Sequence, residues 1–233
     1  LVSIGLARFA YTPLIPSLIQ AHWFSASDVV YLGAANLVGY LIGALIGRPI
    51  AQRTSNKTAL RIMMVAVTLA FFACGFPLSV VWFFAWRLLS GIAGGAIMVL
   101  VAATVLPHVP AARKGLASGA IFLGIGLGIA GSGTLVPPLL SLGLQATWLG
   151  LGALALLLTA LSWFGWPSDF PHPQVAHEKT PVETTPRGVY LLFAQYAFMA
   201  AGLVPAMVFL VDYVARGLGA GAHVGALIWV MYG

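Results

Sequence analysis

Gly5-Leu-Ala-Arg-Phe-Ala-Tyr-Thr-Pro-Leu-Ile-Pro16 is apolar almost throughout, yet it carries a full positive charge at Arg8. An ionisable side chain in a hydrocarbon-spanning helix costs about 3 kcal/mol on insertion scales, which makes Arg8 a functional candidate by default. The stretch also recurs. Ala7-Arg-Phe-Ala-Tyr11 returns as Ala194-Gln-Tyr-Ala-Phe198, and Leu14-Ile-Pro16 as Leu203-Val-Pro205. In the next hydrophobic run, Gly33-Ala34, Val38 and Tyr40 keep their spacing in Gly225-Ala226, Val230 and Tyr232. The chain therefore begins a second copy of itself near residue 188.

Working outward, 61% of residues are hydrophobic and 7% are charged, against the roughly 25% charge of a soluble domain. This composition reads as an all-α, polytopic membrane protein; its 27 glycines and 14 prolines suit membrane helices, which tolerate both. The formal charge of +6 sits in short loops rather than in a stripe or tail, so membrane topology accounts for it and no nucleic-acid partner is expected. The lone Cys74 lies in an apolar run and reads as a packing residue. The five histidines have no metal-ligand spacing, and no metal or cofactor is expected. Gly126-Leu-Gly-Ile-Ala-Gly131 satisfies GxGxxG, but it follows no strand and lies inside a membrane run, which rejects a dinucleotide site.

Hydropathy predicts spans over about 1–21, 28–47, 59–76, 79–106, 115–140 and 146–166. Trp23, Trp82, Trp86, Trp148, Trp163 and Trp166 are placed as interfacial anchors. Ser25-Ala-Ser-Asp28 offers N-cap oxygens to the second span. Residues 167–187 hold five prolines and most of the acidic residues, and read as a linker. A seventh span over about 189–214 follows, and a partial eighth from Gly221. The opening Leu, already inside a hydrophobic helix, argues against a cleaved signal peptide. The short final run gives the sequence the look of a segment truncated at both ends.

Eight of the eleven Lys and Arg residues fall after spans two, four and six: Arg48, Arg53, Lys57, Arg61, Arg113, Lys114, Lys179 and Arg187. The positive-inside rule puts these loops and the linker in the cytoplasm. Six spans per copy is an even number, so the two copies run parallel, an architecture used by transporters with a midplane site between repeats. The expected organisation is a six-helix bundle over 1–166, a cytoplasmic linker over 167–187, and the start of a second bundle over 188–233.

Six helices per repeat, a polar central linker and a basic loop after span two together resemble the major facilitator superfamily. The opening run resembles the first helix of its bacterial YbfB/YjiJ-like members. Arg87-Leu-Leu-Ser-Gly91, followed by Gly94-Gly95, is similar to the superfamily's RxxxG element in span four. Ala51-Gln-Arg-Thr-Ser-Asn-Lys57 stands where the superfamily has Ala-Asp-Arg-x-Gly-Arg-Lys, with Gln52 for the acid and Ser55 for the glycine. The resemblance makes Arg48, Gln52, Arg53 and Lys57 a candidate gating loop. Span five resembles the antiporter motif, but Ile129 occupies the position of its proline, so no antiporter is inferred.

Arg8 and Arg87 come out at about 17 Å and 12 Å below the outer face, at 1.5 Å per helical residue. Two cations thus lie near the midplane, while Asp28 and Asp212 stand at span ends. They point either to a cavity for an anionic substrate or to structural bonds with backbone carbonyls or acids. Tyr11 and Thr12 share the helical face of Arg8, and Asn36 shares one with Tyr40. Gln195 holds the position of Arg8 in the second copy. Each could line the cavity or join helices. Gly91, Gly95, Gly115, Gly119, Gly124 and Gly128 have small-xxx-small spacing for tight packing. Pro13 and Pro16 predict a bend in span one, mirrored at Pro205.

The resemblance implies a secondary transporter of the bacterial inner membrane working by alternating access, with energy from an ion or substrate gradient and a coupling proton or ion as one possible partner. Arg8 and Arg87 make a small organic anion the expected substrate. Its partners are that small-molecule substrate and the lipid bilayer. Two alternatives stay open: an exporter of drugs or hydrophobic cations, and a non-transporting sensor or scaffold. An enzyme is not expected, because the spans show no catalytic pair.

Overall fold

The computed structural model describes residues 1–167 and 187–233. Nearly all of the expected linker, with Lys179 and its acidic residues, lies outside the described residues. Every described element is helical. A π-helical segment, Val2–Leu6, turns into α1 (Tyr11–Gln20), followed by α2 (Ala26–Arg53), α3 (Asn56–Cys74) and α4 (Val80–Val105). Two short 3-10 turns lead to α5 (Lys114–Leu140) and α6 (Leu144–Ser162), then α7 (Arg187–Asp212), a π turn (Tyr213–Gly217) and α8 (Gly221–Tyr232). Seven helical stretches among the described residues are long and apolar enough to cross a membrane, and α8 is a shorter apolar helix.

Local chemistry starts three of these helices in the same way. Ser25 Oγ accepts from the Asp28 amide at 3.1 Å, while Asp28 Oδ2 accepts from the Ser25 amide at 3.2 Å, which completes a capping box for α2. Ser55 and Ser79 each accept from an amide three residues on, at 3.0 Å, and open α3 and α4. The basic loop is shorter than expected: α2 continues to Arg53 and α3 begins at Asn56. Arg48, Gln52 and Arg53 therefore stand exposed on the end of α2, and Lys57 sits half-buried in the first turn of α3. Arg53 in the last turn of α2 meets the negative end of the helix dipole, which favours the extension.

The closest packing joins α2 to α4. A methyl group added at Gly39 would run into the carbonyl oxygen of Leu88, one at Gly43 into that of Ile92, and one at Gly95 into that of Tyr40. Two backbones thus lie in contact along a seam without side chains, the arrangement that small residues permit in a bilayer. Gly91 and Gly95 behave as their spacing predicts. Gly115 and Gly119 do not, since nothing lies within 4 Å of a methyl group at either, and their face of α5 is open. Gly124 and Gly128 pack instead on the opening π segment, against Leu1 and Gly5.

The main core gathers side chains of α1 to α6. Trp148, expected at the interface, is 1% exposed inside this core, with its ring 5.4 Å from Phe83 and 6.2 Å from Phe71. A second cluster, Ile4, Phe9, Ile129, Val211 and Trp229, is contributed by both sequence copies. There Trp229 Nε1 donates to Ser132 Oγ at 3.1 Å, joining α8 to α5. Most of α7 remains exposed, including Leu191, Phe193 and Phe198, a surface that lipid tails solvate as well as leucine would.

The first span is interrupted in the turn that precedes its prolines. Pro13 falls in the first turn of α1, where a missing N–H costs little, and the ladder is interrupted just before it, at residues 7–10. The equivalent Pro205 lies inside α7, which is continuous from Arg187 to Asp212.

Candidate functional site

The interrupted first span brings the arginines together. Arg8, Tyr11, Thr12, Asn36 and Arg87 all line one small cavity between α1, α2, α4 and α7, of about 20 Å³. That volume holds one water molecule and nothing larger.

Arg87 is 3% exposed. Its Nη1 donates to the Ala7 carbonyl at 2.8 Å, at the turn where the first span leaves helical geometry. Its guanidinium carbon lies 4.2 Å from the centroid of the Tyr11 ring, a cation–π contact strengthened by the absence of solvent. The Tyr11 hydroxyl in turn donates to the Val29 carbonyl at 2.8 Å. Asn36 Nδ2 donates to the backbone carbonyl of Arg87 at 3.1 Å, across the glycine seam. Arg87, Tyr11 and Asn36 thus make a continuous polar clamp from α2 through α1 to α4.

Arg8 is placed differently. It is half-buried, and its guanidinium carbon lies 5.3 Å from the ring centroids of both Phe9 and Tyr40. Its hydrogen bond runs from Nη2 to the thioether of Met207, at 3.6 Å. A thioether is a weak acceptor for a group with five donors. The only ion pair among the described residues is Asp212–Arg216, so Arg8 has no carboxylate partner among them. Thr12 Oγ1 donates to the Met207 carbonyl at 2.7 Å, which fixes α7 beside the arginine.

Six of the seven expected cavity residues are therefore neighbours: five around the cavity and Tyr40 beneath Arg8. Gln195 is not among them, because it lies exposed on α7. Arg48, Gln52, Arg53 and Lys57 stand apart, at the α2–α3 connection. Sequence reasoning missed Phe9 and Met207. Phe9 adjoins Arg8 and was open to inspection, whereas nothing local marks Met207. It also missed Arg61, whose Nε donates to the Trp163 carbonyl at 3.0 Å while its guanidinium stacks 4.7 Å from that ring. A larger cavity of about 340 Å³ opens between the π segment and α3 to α6, but no charged residue lines it. No group of metal-ligating side chains occurs among the described residues.

A family described as uncharacterised MFS-type transporter YbfB matches residues 1–233. The gallate transporter of Pseudomonas putida is 31% identical over 157 residues, covering 67% of this chain and 35% of that protein. The chain thus spans about a third of the length of the relative it matches. The crystal structure of a D-xylose-proton symporter superimposes with a TM-score of 0.70 at 15% identity, over 99% of this chain and 62% of the other. An auto-inhibited peptide transporter of the POT family gives 0.59 at 18% identity, over 99% and 49%. These two likenesses establish the fold. With the family match across its whole length, the chain belongs to the YbfB-type transporters of the major facilitator superfamily, a multi-pass membrane family rather than an enzyme family.

Proposed function

We propose that this chain is part of a secondary transporter that carries a small organic anion across the bacterial inner membrane by alternating access. In this reading residues 1–166 form one six-helix bundle, 167–187 a cytoplasmic linker, and 188–233 the beginning of the second bundle. The basic end, with Arg48, Gln52, Arg53 and Lys57, is the gating side.

The observation that carries the reading is Arg8. A cation deep in a span needs an opposite charge or a wet cavity. Arg8 has a thioether and two aromatic faces, and no carboxylate among the described residues. The substrate's carboxylate or equivalent oxygens supply the missing partner, received by a planar fork that binds such groups in bidentate fashion. Thr12 and Asn36 add polar edges, while Phe9 and Tyr40 give an apolar wall. The name of the Pseudomonas putida relative is in keeping with this, gallate being a small organic anion. The energy source is an ion or substrate gradient.

The test is thermal stabilisation of the full-length protein by matched anionic, neutral and cationic metabolites, with Arg8→Ala alongside. The expected result is stabilisation by an anion, with affinity at least ~10-fold weaker in the variant, the worth of a charge-assisted hydrogen bond. Stabilisation by cations alone, or by anions equally in Arg8→Ala, would refute the assignment.

A further inference from the structure

Behind Arg87, on the side of α3 and α6, lies a separate cavity of about 10 Å³. It is lined by Arg87 and Ser90 of α4, Trp148 of α6, Phe71 and Cys74 of α3, and Ala7 of the first span. Two of these residues carry a buried donor without a partner among the described residues: Nε of Arg87 and Nε1 of Trp148. The two residues are 3% and 1% exposed. Buried N–H groups left unpaired are rare, and each needs an explanation. We propose that this cavity is the site of one structural water molecule, which accepts from both donors and makes Trp148 a positioning residue for Arg87.

Size and chemistry agree on that occupant. About 10 Å³ is the least space that admits a water, and it excludes every larger ligand. A small cavity with apolar walls stays dry, whereas one that offers several polar partners holds water. Guanidinium and indole N–H groups can only donate, so they meet the lone pairs of the water. Its own protons go to the Ser90 hydroxyl, which accepts as well as donates, and to the Cys74 thiol, a weak acceptor. Every group then keeps a role that its chemistry permits, and the partners come from α3, α4 and α6.

The bridge also completes the setting of Arg87. Its Nη1 is held by the Ala7 carbonyl at 2.8 Å and its face by the Tyr11 ring, both from the first span. A buried charge is tolerated where hydrogen bonds satisfy its remaining donors. A water on Nε ties the same guanidinium to α6, so its plane is fixed from two directions. Ala7 directly precedes Arg8, and the chain of contacts therefore runs from Trp148 to the turn that carries the other arginine. This assignment does not depend on the identity of the transported solute.

Nuclear magnetic resonance of the full-length protein in detergent, with isotope-labelled tryptophan and arginine side chains, tests the site directly. The Trp148 Nε1–H and Arg87 Nε–H signals are identified by their loss in Trp148→Phe and Arg87→Lys. In the wild type both should show a nuclear Overhauser peak at the water frequency. Trp148→Phe keeps the ring and removes one donor, and the Arg87 Nε–H signal should then shift and lose its water peak. A crystal structure of the wild type should place a water within hydrogen-bond distance of both nitrogens, about 3.2 Å or less. Absence of water contact at either signal would overturn the proposal, as would a crystal structure in which the two donors bond protein acceptors directly. An Arg87 Nε–H signal unchanged in Trp148→Phe would show that Trp148 only fills space.

Discussion

Gly43→Ala puts one methyl group into the seam between α2 and α4, where its cost can be worked from distances. The new Cβ would stand 2.7 Å from the Ile92 carbonyl carbon and 2.9 Å from the Ala96 amide nitrogen, and closer still to the Ile92 oxygen. Ordinary contact begins at 3.4 Å, so the helices must separate by at least 0.7 Å, the difference between 3.4 and 2.7. All three atoms are backbone, so no rotamer change relieves the clash. A gap of about 0.5–1 Å forfeits a quarter to a half of each dispersion contact along the seam. Overpacking of this kind costs about 3 kcal/mol, and at roughly 2–4 °C per kcal/mol the midpoint should fall by about 6–12 °C. The assay is thermal unfolding of the purified full-length protein in detergent, with Gly119→Ala as the control. Nothing lies within 4 Å of a methyl group at Gly119, and the exchange of glycine for alanine in a helix should raise stability by about 0.5–1 kcal/mol. Equal midpoints for the two variants would refute the packing argument.

Two further outcomes follow from contacts that join distant parts of the chain. Arg61→Ala removes both hydrogen bonds to the Trp163 carbonyl and the stacked ring, and should lower stability by about 1–2 kcal/mol; Arg61→Lys, read in the same melt, should recover only part of it because the planar fork is lost. Trp229→Phe breaks the bond to Ser132 but keeps the aromatic packing, and should cost about 0.6 kcal/mol, the mean for hydrogen bonds between membrane helices. A double-mutant cycle with Ser132→Ala measures that coupling, and additive effects would contradict the bond.

Hydropathy made the spans legible because a bilayer imposes a length on every helix that crosses it, and α4 and α5 end within a residue or two of expectation. Helix ends in water are less constrained, which is why α2 overran its expected limit at residue 47 as far as Arg53. The seam was only half legible. Gly91 and Gly95 stood out beside Arg87, while their partners Gly39, Gly43 and Gly47, with the same four-residue spacing, were overlooked. Spacing alone also could not separate Gly95 from Gly119, because it records that a face is smooth and not whether a second helix lies on it. Within the candidate site, intramembrane charge identified Arg8 and Arg87, and helical periodicity added Tyr11 and Thr12. Met207 was beyond reach, since its role rests on a backbone carbonyl and a thioether brought in from 199 residues away. Trp148 was misplaced because an indole near a span end signals an interface in sequence, and only the tertiary packing of Phe71 and Phe83 draws it inward.

The bare contact between α2 and α4 bears on how the molecule can move. Packed helices slide past one another when interlocked side chains hop between rotamer wells, which divides a shear into small steps. Along Gly39, Gly43, Gly91 and Gly95 there are no such side chains, and each backbone is keyed into the relief of the other. Backbone contact this close favours movement of the pair as a single strut. Displacement is left to joints made of flexible side chains, such as Thr12 and Arg8 on Met207 between α1 and α7. A strut of this stiffness, pinned to Arg87 by Asn36, would convey a small shift at the arginine cavity undiminished to the exposed cations at the far end of α2.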